Sequence, residues 1–445
     1  MKTLFPAQAA HADVIYRALR HKRGALDTSE TGTGKTVMSA AIAQHWANTR
    51  GPVGVVCPKA VIPSWERELA EWGIKPAFVL NYEKLKNARD GIVRIKRKTK
   101  RKSKTTKLFE WTCDPTTLLI FDEVAVCKGA FTQNDQLLVA ARNGNFHTLC
   151  LSATAAQDPT EMRALGYVLG LHDLNAKHNN NSWFQWMYKN GCYKDEWESW
   201  QHKPKHSLAT LNDTMFNQDK IAHGITTSDL PGAFRNNRVD VDRLSFDGAS
   251  KVYDECGLTK ASVDQLMDGI KDKASKDSPM VLTEILRARQ LVEAIKVPHF
   301  IDMTNDLVAQ GKSVVVFFNF RESVHAFRKS FPDSGVVIGE QGAGERQQHI
   351  DDFQANKTGV IVVTAAAGGT GLSLHDTNGN HPRFCLISPT FSVQQHVQVL
   401  GRAYRAGGKS DVVQKIMVAA GSIEEYVLKK CEEKAATMRE LIKGG

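Results

Sequence analysis

A short glycine-rich stretch, residues 28–36, combines side chains that together can hold the phosphate chain of a nucleotide. Gly32 and Gly34 allow the backbone to turn tightly, so that successive N–H groups can face phosphate oxygens. Lys35 can reach the β- and γ-phosphates, and the hydroxyl of Thr36 can ligate Mg²⁺. A serine replaces the first glycine of the full P-loop pattern, so the fragment alone is also compatible with a glycine-rich surface turn. The pattern predicts nucleotide contacts by Thr31, Gly32, Thr33, Gly34, Lys35 and Thr36.

A pair of adjacent carboxylates, Asp122 and Glu123, follows the apolar run 118–121. Such a run is typical of a buried strand, and ligands of doubly wound sheets lie at the carboxyl ends of the strands. Asp122 can hold Mg²⁺ through water, and Glu123 can orient and deprotonate an attacking water molecule. An isolated Asp-Glu pair is also typical of a solvated turn. The buried strand before it and the P-loop upstream favour the catalytic interpretation.

Three further polar side chains belong to the same half of the chain. The amide of Gln8 offers a donor and an acceptor that suit an adenine edge, although by itself a solvated glutamine at a helix start is the simpler explanation. Ser152 and Thr154 end a predicted strand over 148–154. Their hydroxyls could couple the carboxylates to a second domain, but alone this segment is an ordinary strand end.

A second glycine-rich loop, residues 364–374, follows the apolar run 359–363 in the second half of the chain. Three glycines in this loop allow the backbone to approach a phosphate closely, and Gly371 is the predicted nucleotide contact among them.

A polar series with the spacing Gln-x-x-Gly-Arg-x-x-Arg comes next and comprises Gln398, Gly401, Arg402 and Arg405. Arginines three residues apart lie on one face of a helix. Their planar guanidinium groups fit a γ-phosphate and can stabilise its developing charge from across a cleft. A solvated basic helix is the alternative.

Apolar runs that alternate with helical patterns predict an α/β protein built on doubly wound parallel sheets. At 445 residues the chain is long enough for two or three domains. We expect a first lobe over 1–171 with a basic insertion over 90–111, a helical or irregular insertion and linker over 172–280, and a second lobe over 281–445.

The positive charge of the chain is concentrated in one segment, residues 94–107. It contains nine Lys or Arg side chains and no acid, and so accounts for nine of the ten net positive charges. Apolar residues on both sides are typical of a β-hairpin with a charged tip or of a disordered loop on a strand scaffold. This density favours salt-dependent contact with nucleic-acid phosphates, whereas a solvated loop or a localisation signal are the alternatives. The predicted contacts are Arg94, Lys96, Arg97, Lys98, Lys100, Arg101, Lys102 and Lys104.

The overall composition excludes several classes of protein. A hydrophobic content of 42% and a charged content of 24% are those of an ordinary globular chain, which argues against wholesale disorder. The eight cysteines include no pair with zinc-ligand spacing. The sequence has neither a leading signal peptide nor an apolar run of about 18 residues. We therefore expect a cytoplasmic or nuclear protein that is neither secreted nor inserted in a membrane.

The ordered series of motifs resembles helicase superfamily 2, and more narrowly the SWI/SNF-type double-stranded DNA translocases. The resemblance covers nearly the whole chain, and the series is more specific than any one motif. It rests on Gln8, Gly32–Thr36, Pro58-Lys59 with Trp65, Tyr82-Glu83, Asp122-Glu123, Ser152–Thr154, Thr364–Leu374 and Gln398–Arg405.

The resemblance implies two RecA-like lobes with a helical insertion or linker between them and with ATP and Mg²⁺ bound between the lobes. The first lobe would supply Lys35, Thr36, Asp122 and Glu123, and the second would supply Arg402 and, as the arginine finger, Arg405. Coupling between the lobes would pass through Ser152, Thr154 and Gln398. Contacts with the DNA backbone would come from Lys59, Asn81, Tyr82, Asn319 and Thr364.

The sequence departs from the family pattern at three places. Val124-Ala125 replaces the usual Ala-His after the Asp-Glu pair, so that a coupling histidine is missing. Tyr404 stands where a histidine is usual. Residues 223–230 occupy the place of an arginine-rich stretch.

We expect an ATP-dependent, monomeric motor that moves on duplex or forked DNA, in a minimal form of the kind found in phage or bacterial replication and repair systems. The nearest alternative is a strand-separating DNA or RNA helicase that uses residues 94–107 as a wedge. A remoter alternative is a non-catalytic nucleic-acid binding module, which conflicts with the intact set of Lys35, Asp122, Glu123 and Arg405. The sequence does not indicate protein partners.

Overall fold

The computed structural model describes residues 3–101, 104–176, 181–196, 199–203, 207–246, 248, 251–252, 278–339, 341–368 and 372–442. The chain divides into two compact units, one formed by Met1–Leu230 with Ala436–Gly445 and the other by Pro231–Ala435. Each unit is built on a six-stranded sheet whose described strand pairs are all parallel, which confirms the predicted α/β class with two doubly wound lobes. The predicted domain boundaries stay a prediction.

The sheet of the first unit has the strand order β10-β1-β7-β6-β2-β3. The strands of this unit are β1 Gly24–Asp27, β2 Val53–Cys57, β3 Phe78–Asn81, β4 Val93–Arg101, β5 Lys104–Trp111, β6 Leu118–Asp122, β7 His147–Leu151, β8 Cys192–Lys194, β9 Trp200–His202 and β10 Ala222–His223.

The sheet of the second unit has the strand order β11-β16-β15-β12-β14-β13. Its strands are β11 Asn237–Leu244, β12 Ser313–Phe318, β13 Gly335–Val337, β14 Val360–Thr364, β15 Arg383–Ile387 and β16 Val412–Ala419.

Helices cover the sheets and supply the connections between parallel strands. They are α1 Pro6–Lys22, α2 Lys35–Thr49, α3 Ile62–Glu71, α4 Tyr82–Asn87, α5 Gln133–Asn143, α6 Arg163–Leu169, α7 Trp183–Lys189, α8 Ala209–Asp213, α9 Ser278–Ala309, α10 Arg321–Arg328, α11 Ala343–Gln354, α12 Ala365–Gly368, α13 Val393–Leu400 and α14 Ile423–Ile442.

Strand β6 shows why continuous apolar runs form the centre of the first sheet. Successive side chains of a strand point to opposite faces, so a strand with helices on both sides needs apolar residues at every position. Leu119 and Phe121 belong to the core on one face, and Leu118 and Ile120 belong to the core on the other. All four are fully buried. The polar Asp122 therefore comes at the first position where the strand emerges from both cores.

The basic segment forms an antiparallel hairpin, β4–β5, which confirms the first of the two predicted alternatives. Its base is anchored in the core of the first unit by Val93, Phe109 and Trp111, each less than 10% exposed. The register between the strands shifts between Ile95 and Arg97, which marks a bulge. A bulge increases the local twist of a two-stranded ribbon.

Strands β8 to β11 lie within residues 172–280, the range predicted as a helical or irregular insertion and linker. Strand β11 alternates Val239 and Val241 with Asp240 and Asp242, and pairs along its whole length with β16 at the edge of the second sheet. An edge strand needs apolar side chains at only some positions, so its sequence lacks the continuous apolar run of a central strand.

None of the helices within the described residues combines the length and the apolar character that crossing a bilayer requires.

Candidate nucleotide-binding and catalytic site

The fold of the first unit brings three of the predicted motifs to one edge of its sheet. Strands β1, β7 and β6 are parallel neighbours, so their carboxyl ends lie side by side. Both Asp27 and Asp122 pair in register with Leu151. The P-loop follows β1, the Asp-Glu pair ends β6, and Ser152–Thr154 follows β7.

The P-loop requires glycine at two positions. Gly32 has φ 91° and Gly34 has φ 98°, both in the left-handed region that favours glycine. Helix α2 begins at the next residue, Lys35. A Cβ on Gly34 would also lie 2.6 Å from the amide nitrogen of Gln8. The loop can therefore present its backbone N–H groups without side chains in the way.

Lys35 folds back over the loop that precedes it. Its Nζ donates hydrogen bonds to the carbonyl oxygens of Ser29 (2.7 Å) and Glu30 (3.1 Å). Phosphate oxygens are stronger acceptors for an ammonium group than neutral carbonyls, so a bound triphosphate can compete for these bonds. The lysine is thus placed where a phosphate chain on the loop would meet it.

Gln8 ties helix α1 to the P-loop. Its Nε2 donates to the carbonyl oxygen of Thr33 (2.8 Å), and its Oε1 accepts from the backbone N–H of Phe5 (3.0 Å). Gln8 is only 4% exposed, and these two bonds use its amide to hold the loop. Its predicted contact with adenine stays a prediction.

The Asp-Glu pair is held by partners on three different elements. Oδ2 of Asp122 accepts a hydrogen bond of 2.7 Å from Nε1 of Trp65 on α3. The hydroxyl of Tyr82 donates to the carbonyl oxygen of Asp122 (2.8 Å). Ser152 donates to Oε1 of Glu123 (3.1 Å) and lies 3.4 Å from Oγ1 of Thr154. The predicted catalytic base, Glu123, and the predicted coupling residues, Ser152 and Thr154, therefore belong to one hydrogen-bonded group.

Glu123 has an unusual backbone conformation, with φ 55° and ψ 52°. A residue other than glycine in the left-handed region costs about 1 kcal/mol or more, and such strain is often found at functional sites. The conformation turns the chain sharply where β6 ends, so that the side chain of Glu123 points to Ser152 after the neighbouring strand.

The oxygen donors on this edge suit a magnesium ion. Mg²⁺ prefers oxygen ligands and keeps several of its waters, so one carboxylate and one hydroxyl are a sufficient protein contribution. Asp122 and Thr36 would supply them. In the part of the chain that the structure describes, no cluster of three or more His, Cys, Asp or Glu side chains suits a metal ion, so a site with more protein ligands is not seen there.

In the second unit, Arg402 and Arg405 follow helix α13 and turn toward the same backbone oxygen. Nη1 of Arg405 donates to the carbonyl oxygen of Leu372 (2.9 Å), and Nη1 of Arg402 lies 3.5 Å from it. Burial lowers the pKa of Arg405 to about 10, so the side chain keeps its charge at neutral pH. Gln398 lies on α13 and is 6% exposed. Gly371 lies outside the described residues.

The predicted nucleic-acid contacts have varied surroundings. Lys59 is exposed, and the side chain of Asn81 accepts a hydrogen bond from the backbone of Lys84 at the start of α4. Tyr82 is buried, and burial raises the pKa of its hydroxyl, which therefore stays protonated. Thr364 is 5% exposed at the end of β14. Their contacts with nucleic acid stay predictions.

The basic hairpin is described in part. Arg94 forms an exposed ion pair of 2.8 Å with Glu110 across the hairpin, and Lys96 is exposed. Lys102 and the side chains of Arg97, Lys98, Lys100, Arg101 and Lys104 lie outside the described residues.

Several residues that hold the site were missed by sequence reasoning. The indole of Trp65 was noted only as part of a motif, and its bond to Asp122 had no sequence signal. Asp27 and His223 contact the start of the P-loop, and His11 contacts both of them. The buried Glu293 binds the loop that contains Asn319. These contacts join segments far apart in the chain, so spacing in the sequence does not reveal them.

A parallel sheet with a glycine-rich loop between its first strand and a helix, and with carboxylates at the end of a neighbouring strand, is typical of the P-loop nucleotide-hydrolysing proteins. Comparison with known families makes the assignment narrower. Residues 7–295 match the family described as SNF2-related domain, and residues 296–407 match the helicase conserved C-terminal domain. The chain belongs to the SNF2-related family of helicase superfamily 2, and it is an ATP-dependent enzyme of the helicase type.

Individual relatives show how far the likeness extends. A protein of Acanthamoeba polyphaga mimivirus, named "Putative ATP-dependent RNA helicase", is 29% identical over 98% of this chain and 83% of its own length. An Arabidopsis thaliana protein named for chromatin remodeling is 20% identical over 39% of this chain, and the human DNA excision repair protein ERCC-6-like is 24% identical over 42%. The chain spans only 17% and 15% of those two proteins. The solved SWI2/SNF2 ATPase core of Sulfolobus solfataricus in complex with dsDNA matches 100% of this chain and 98% of its own, with 16% identity and a TM-score of 0.39.

Proposed function

We propose that the protein is a motor that couples ATP hydrolysis to movement along double-stranded DNA, with duplex or forked DNA as its track. The observation that carries this proposal is the basic hairpin β4–β5 on the ATPase unit of an SNF2-related chain. The resemblance of the sequence to SWI/SNF-type translocases implies that the substrate is DNA.

The anchored base of the hairpin supports a role in coupling DNA contact to the catalytic strand. Trp111 donates from Nε1 to the carbonyl oxygen of Leu137 on α5 (3.1 Å), and its ring packs against Phe78 and Phe121. Phe121 lies on β6, immediately before Asp122. A force on the hairpin is therefore transmitted to the strand that carries the predicted catalytic carboxylates.

The charge of the hairpin supports contact with phosphates rather than with bases. Lys and Arg side chains that neutralise phosphates displace condensed counterions, which gives strong salt dependence without sequence specificity. A motor that moves along any sequence needs this kind of contact. The segment 94–107 supplies nine cations for it.

For hydrolysis, the chain's own groups would bind and orient the substrate ATP. The P-loop amides and Lys35 hold the phosphates, and Glu123, oriented by Ser152, accepts a proton from the attacking water. Mg²⁺, when bound by Thr36 and Asp122, would neutralise charge on the β- and γ-phosphates. Arg402 and Arg405 would stabilise the charge that develops on the transferred phosphoryl group.

A second candidate function is strand separation on DNA or RNA, with the hairpin as a wedge. The observation that favours it is the name of the mimivirus relative, which refers to an RNA helicase. Strand displacement from tailed and blunt duplexes distinguishes a wedge from a translocase, because a translocase moves on a duplex without separating it.

The experiment is steady-state ATPase activity with no nucleic acid, single-stranded DNA, blunt duplex DNA, forked DNA and duplex RNA. We expect blunt duplex DNA to give the largest increase in kcat. Stronger stimulation by single strands or by RNA would overturn the translocase proposal in favour of the helicase candidate. No stimulation by any of the four nucleic acids would overturn both proposals.

The role of the hairpin is tested with two matched triple variants. One carries Lys98→Gln, Lys100→Gln and Lys102→Gln in the hairpin, and the control carries Lys75→Gln, Lys329→Gln and Lys409→Gln at exposed lysines elsewhere. The slope of log affinity against log salt concentration should fall by about 0.9 for each lost duplex contact in the first variant. An equal change in both variants would assign the effect to net charge rather than to the hairpin.

A further inference from the structure

A polar cluster of two buried residues and one half-buried residue lies beside the P-loop, and the predicted hydrolysis chemistry does not use it. It consists of His11 on α1, Asp27 at the end of β1 and His223 at the end of β10. Nε2 of His11 lies 3.2 Å from Oδ2 of Asp27, and Nδ1 of His11 lies 2.6 Å from Nδ1 of His223. His11 and Asp27 are 0% and 2% exposed.

Asp27 connects this cluster to the nucleotide loop. Its other oxygen, Oδ1, accepts a hydrogen bond of 2.8 Å from the backbone N–H of Ser29. Ser29 is also one of the two carbonyl partners of Lys35. One carboxylate thus faces a histidine with one oxygen and fixes the first turn of the P-loop with the other.

The segment 221–227, here called the P-loop wall, runs alongside that turn. Its backbone continues the pairing of β1 and β10 past the end of the sheet and into the loop. The bonds are Leu26 N–H to Ile221 O (2.8 Å), Thr28 N–H to His223 O (3.0 Å), Glu30 N–H to Ile225 O (2.9 Å), Ile225 N–H to Ser29 Oγ (3.1 Å) and Thr227 N–H to Glu30 Oε2 (3.0 Å).

Close approach of the wall to the loop is built into the sequence at Gly224. A Cβ there would lie 2.5 Å from Oγ1 of Thr28, 3.0 Å from its carbonyl carbon and 3.1 Å from the nitrogen of Ser29. Any side chain at Gly224 would therefore push the wall away from the P-loop. The wall and the P-loop therefore pack directly against each other, and His223 lies where they meet.

The contact between the two histidines has room for only one proton between the two Nδ1 atoms. Two ring nitrogens at 2.6 Å form a hydrogen bond when one carries the proton and the other accepts it. A single positive charge on the pair lies close to the carboxylate of Asp27. With a proton on both Nδ1 atoms, two donors and two cations face each other, and the contact must open.

Charged groups from three neighbouring elements influence how readily His223 gains a proton. Asp27 on β1 and Asp229, in the turn after the wall, attract a proton toward His223, whereas His11 on α1 opposes it. Lys35 on α2 acts on Asp27 and favours its ionised form. The pKa of Asp27 is lowered from its ordinary value, which favours the ionised carboxylate beside His223.

We propose that His11, Asp27 and His223 are positioning residues that hold the P-loop wall against the nucleotide loop, and that protonation of both histidines releases the wall and weakens nucleotide binding.

The directions in which the pKa values of His223 and Asp27 are shifted agree with release of the wall at acid pH. Burial, followed by the charge of His11, lowers the pKa of His223, so His223 gains its proton only on the acid side of the ordinary histidine range. Burial alone would raise the pKa of Asp27, but His11, Lys35 and the bond from Ser29 outweigh it and lower that pKa. Release therefore follows acidification and not the loss of the Asp27 charge.

The test is the affinity for a fluorescent, non-hydrolysable ATP analogue between pH 5 and 8, without nucleic acid. For the natural chain, we expect the dissociation constant to rise about tenfold on the acid side, the change expected when one buried hydrogen bond to a charged group is lost. His223→Asn should remove this pH dependence, because an asparagine amide can turn to present either a donor or an acceptor to His11. His21→Asn, at an exposed histidine of the same helix α1, should retain the full dependence.

Each outcome decides the proposal. A flat profile for the natural chain, or an equally steep one for His223→Asn, would overturn it. Absence of analogue binding at every pH would overturn the nucleotide site itself. If His223→Asn does not fold, amide exchange in the natural chain replaces it: the N–H groups of Thr28, Glu30 and Ile225 should lose protection as the pH falls, whereas those of β6 should not. Equal loss in both places would indicate general acid unfolding and contradict the proposal.

Discussion

The indole Nε1 of Trp65 donates a hydrogen bond of 2.7 Å to Oδ2 of Asp122, and so joins helix α3 to the end of the central strand β6. Trp65 is 1% exposed, so water has little access to replace this donor. A carboxylate with one oxygen held in this way presents a defined orientation to any ion that it binds. Under the proposed function, Trp65 orients the carboxylate that would bind Mg²⁺.

Trp65→Phe should raise the Mg²⁺ concentration for half-maximal ATPase activity by about tenfold, because partners of metal-binding groups typically contribute 10- to 100-fold to metal affinity. Phenylalanine keeps most of the buried ring and removes only the donor. Titration of ATPase activity with Mg²⁺ measures the effect.

The control for this prediction is Trp72→Phe. Trp72 is 8% exposed and donates from Nε1 to Oε1 of Glu68 (2.9 Å), a carboxylate that is not among the predicted site residues. The same chemical change there should leave the Mg²⁺ requirement unaltered. If both variants shifted it equally, the effect would come from stability and not from Asp122.

The bond between Ser152 and Glu123 predicts a defect in catalysis that spares binding. Glu123→Gln should abolish turnover, because an amide cannot accept the proton of the attacking water. Ser152→Ala should lower kcat by about tenfold, because it leaves Glu123 charged but removes one hydrogen bond that orients it. Neither change touches the P-loop, so the dissociation constant for ATP should stay within about twofold. Steady-state kinetics and nucleotide binding measure the two quantities.

Ser313→Ala supplies the control for Ser152→Ala. Ser313 is 2% exposed at the start of β12 in the second unit, and Ser152 is 1% exposed. Loss of activity in both variants, or a weaker affinity for ATP in Ser152→Ala, would argue against the orienting role.

Much of the fold could be predicted from the sequence because its central strands are continuous apolar runs. The apolar runs 118–121, 148–154 and 359–363, which predict strands, coincide with β6, β7 and β14. Strands β1 and β16 were missed for physical reasons. β1 is only four residues long, and Gln414 and Lys415 interrupt the apolar run of β16.

The motifs of the candidate site could be predicted from the sequence. The residues that hold those motifs in place could not. Glycine spacing and adjacent carboxylates identify the P-loop and the Asp-Glu pair because the chemistry needs those residue types close together in the chain. Trp65, His11 and Glu293 act through contacts with residues 16 to 212 positions away. Such contacts depend on which strands become neighbours, and a single sequence gives no direct signal of that order.

The aromatic residues of 183–200 illustrate the same point. Such a dense group of aromatic residues favours a place in the core, and Trp183 and Trp186 are indeed buried. Phe184 and Tyr188, on the same helix α7, are 53% and 52% exposed and pack against Trp200. Composition cannot assign a face to a helix of seven residues in which aromatic side chains occupy both sides.

Glu293 gives a prediction for the second unit. Its buried carboxylate accepts hydrogen bonds from the backbone N–H groups of Asn319 (2.9 Å) and Phe320 (3.0 Å) and from Nδ2 of Asn319 (2.7 Å). Glutamine has nearly the same shape but offers only one acceptor oxygen, so Glu293→Gln sets an NH₂ group against N–H donors. We expect the free energy of unfolding to fall by about 1–3 kcal/mol. Denaturant unfolding measures it.

Glu322→Gln is the matched control, because Glu322 is exposed three residues beyond Asn319 and loses the same charge. It should change the stability by less than about 0.5 kcal/mol. Since Asn319 is a predicted DNA contact, Glu293→Gln should also weaken duplex binding, whereas Glu322→Gln should not. Equal stability of the two variants would show that the convergent bonds contribute little.

His172 predicts how the stability of the first unit depends on pH. It packs against the rings of Trp183 (4.6 Å between centroids) and Trp186 (5.2 Å), and burial lowers its pKa to about 4. A histidine in the unfolded chain has a pKa near 6.5, so as the pH falls the unfolded chain gains the proton first. Stability from this group is complete above pH ~6.5 and is lost between pH ~6.5 and ~4, by at most about 3 kcal/mol.

His172→Gln should make the pH profile of unfolding shallower between pH 4 and 7, because glutamine does not titrate and its Nε2 can still reach the carbonyl oxygen of Met162, 3.3 Å from Nε2 of His172. His147 and His223, whose pKa values burial also lowers, would keep part of the slope. His45→Gln, the same substitution at an exposed histidine, is the matched control variant. Denaturant unfolding followed by tryptophan fluorescence gives the profiles. An unchanged slope in His172→Gln would mean that this histidine gains its proton without unfolding the surrounding core.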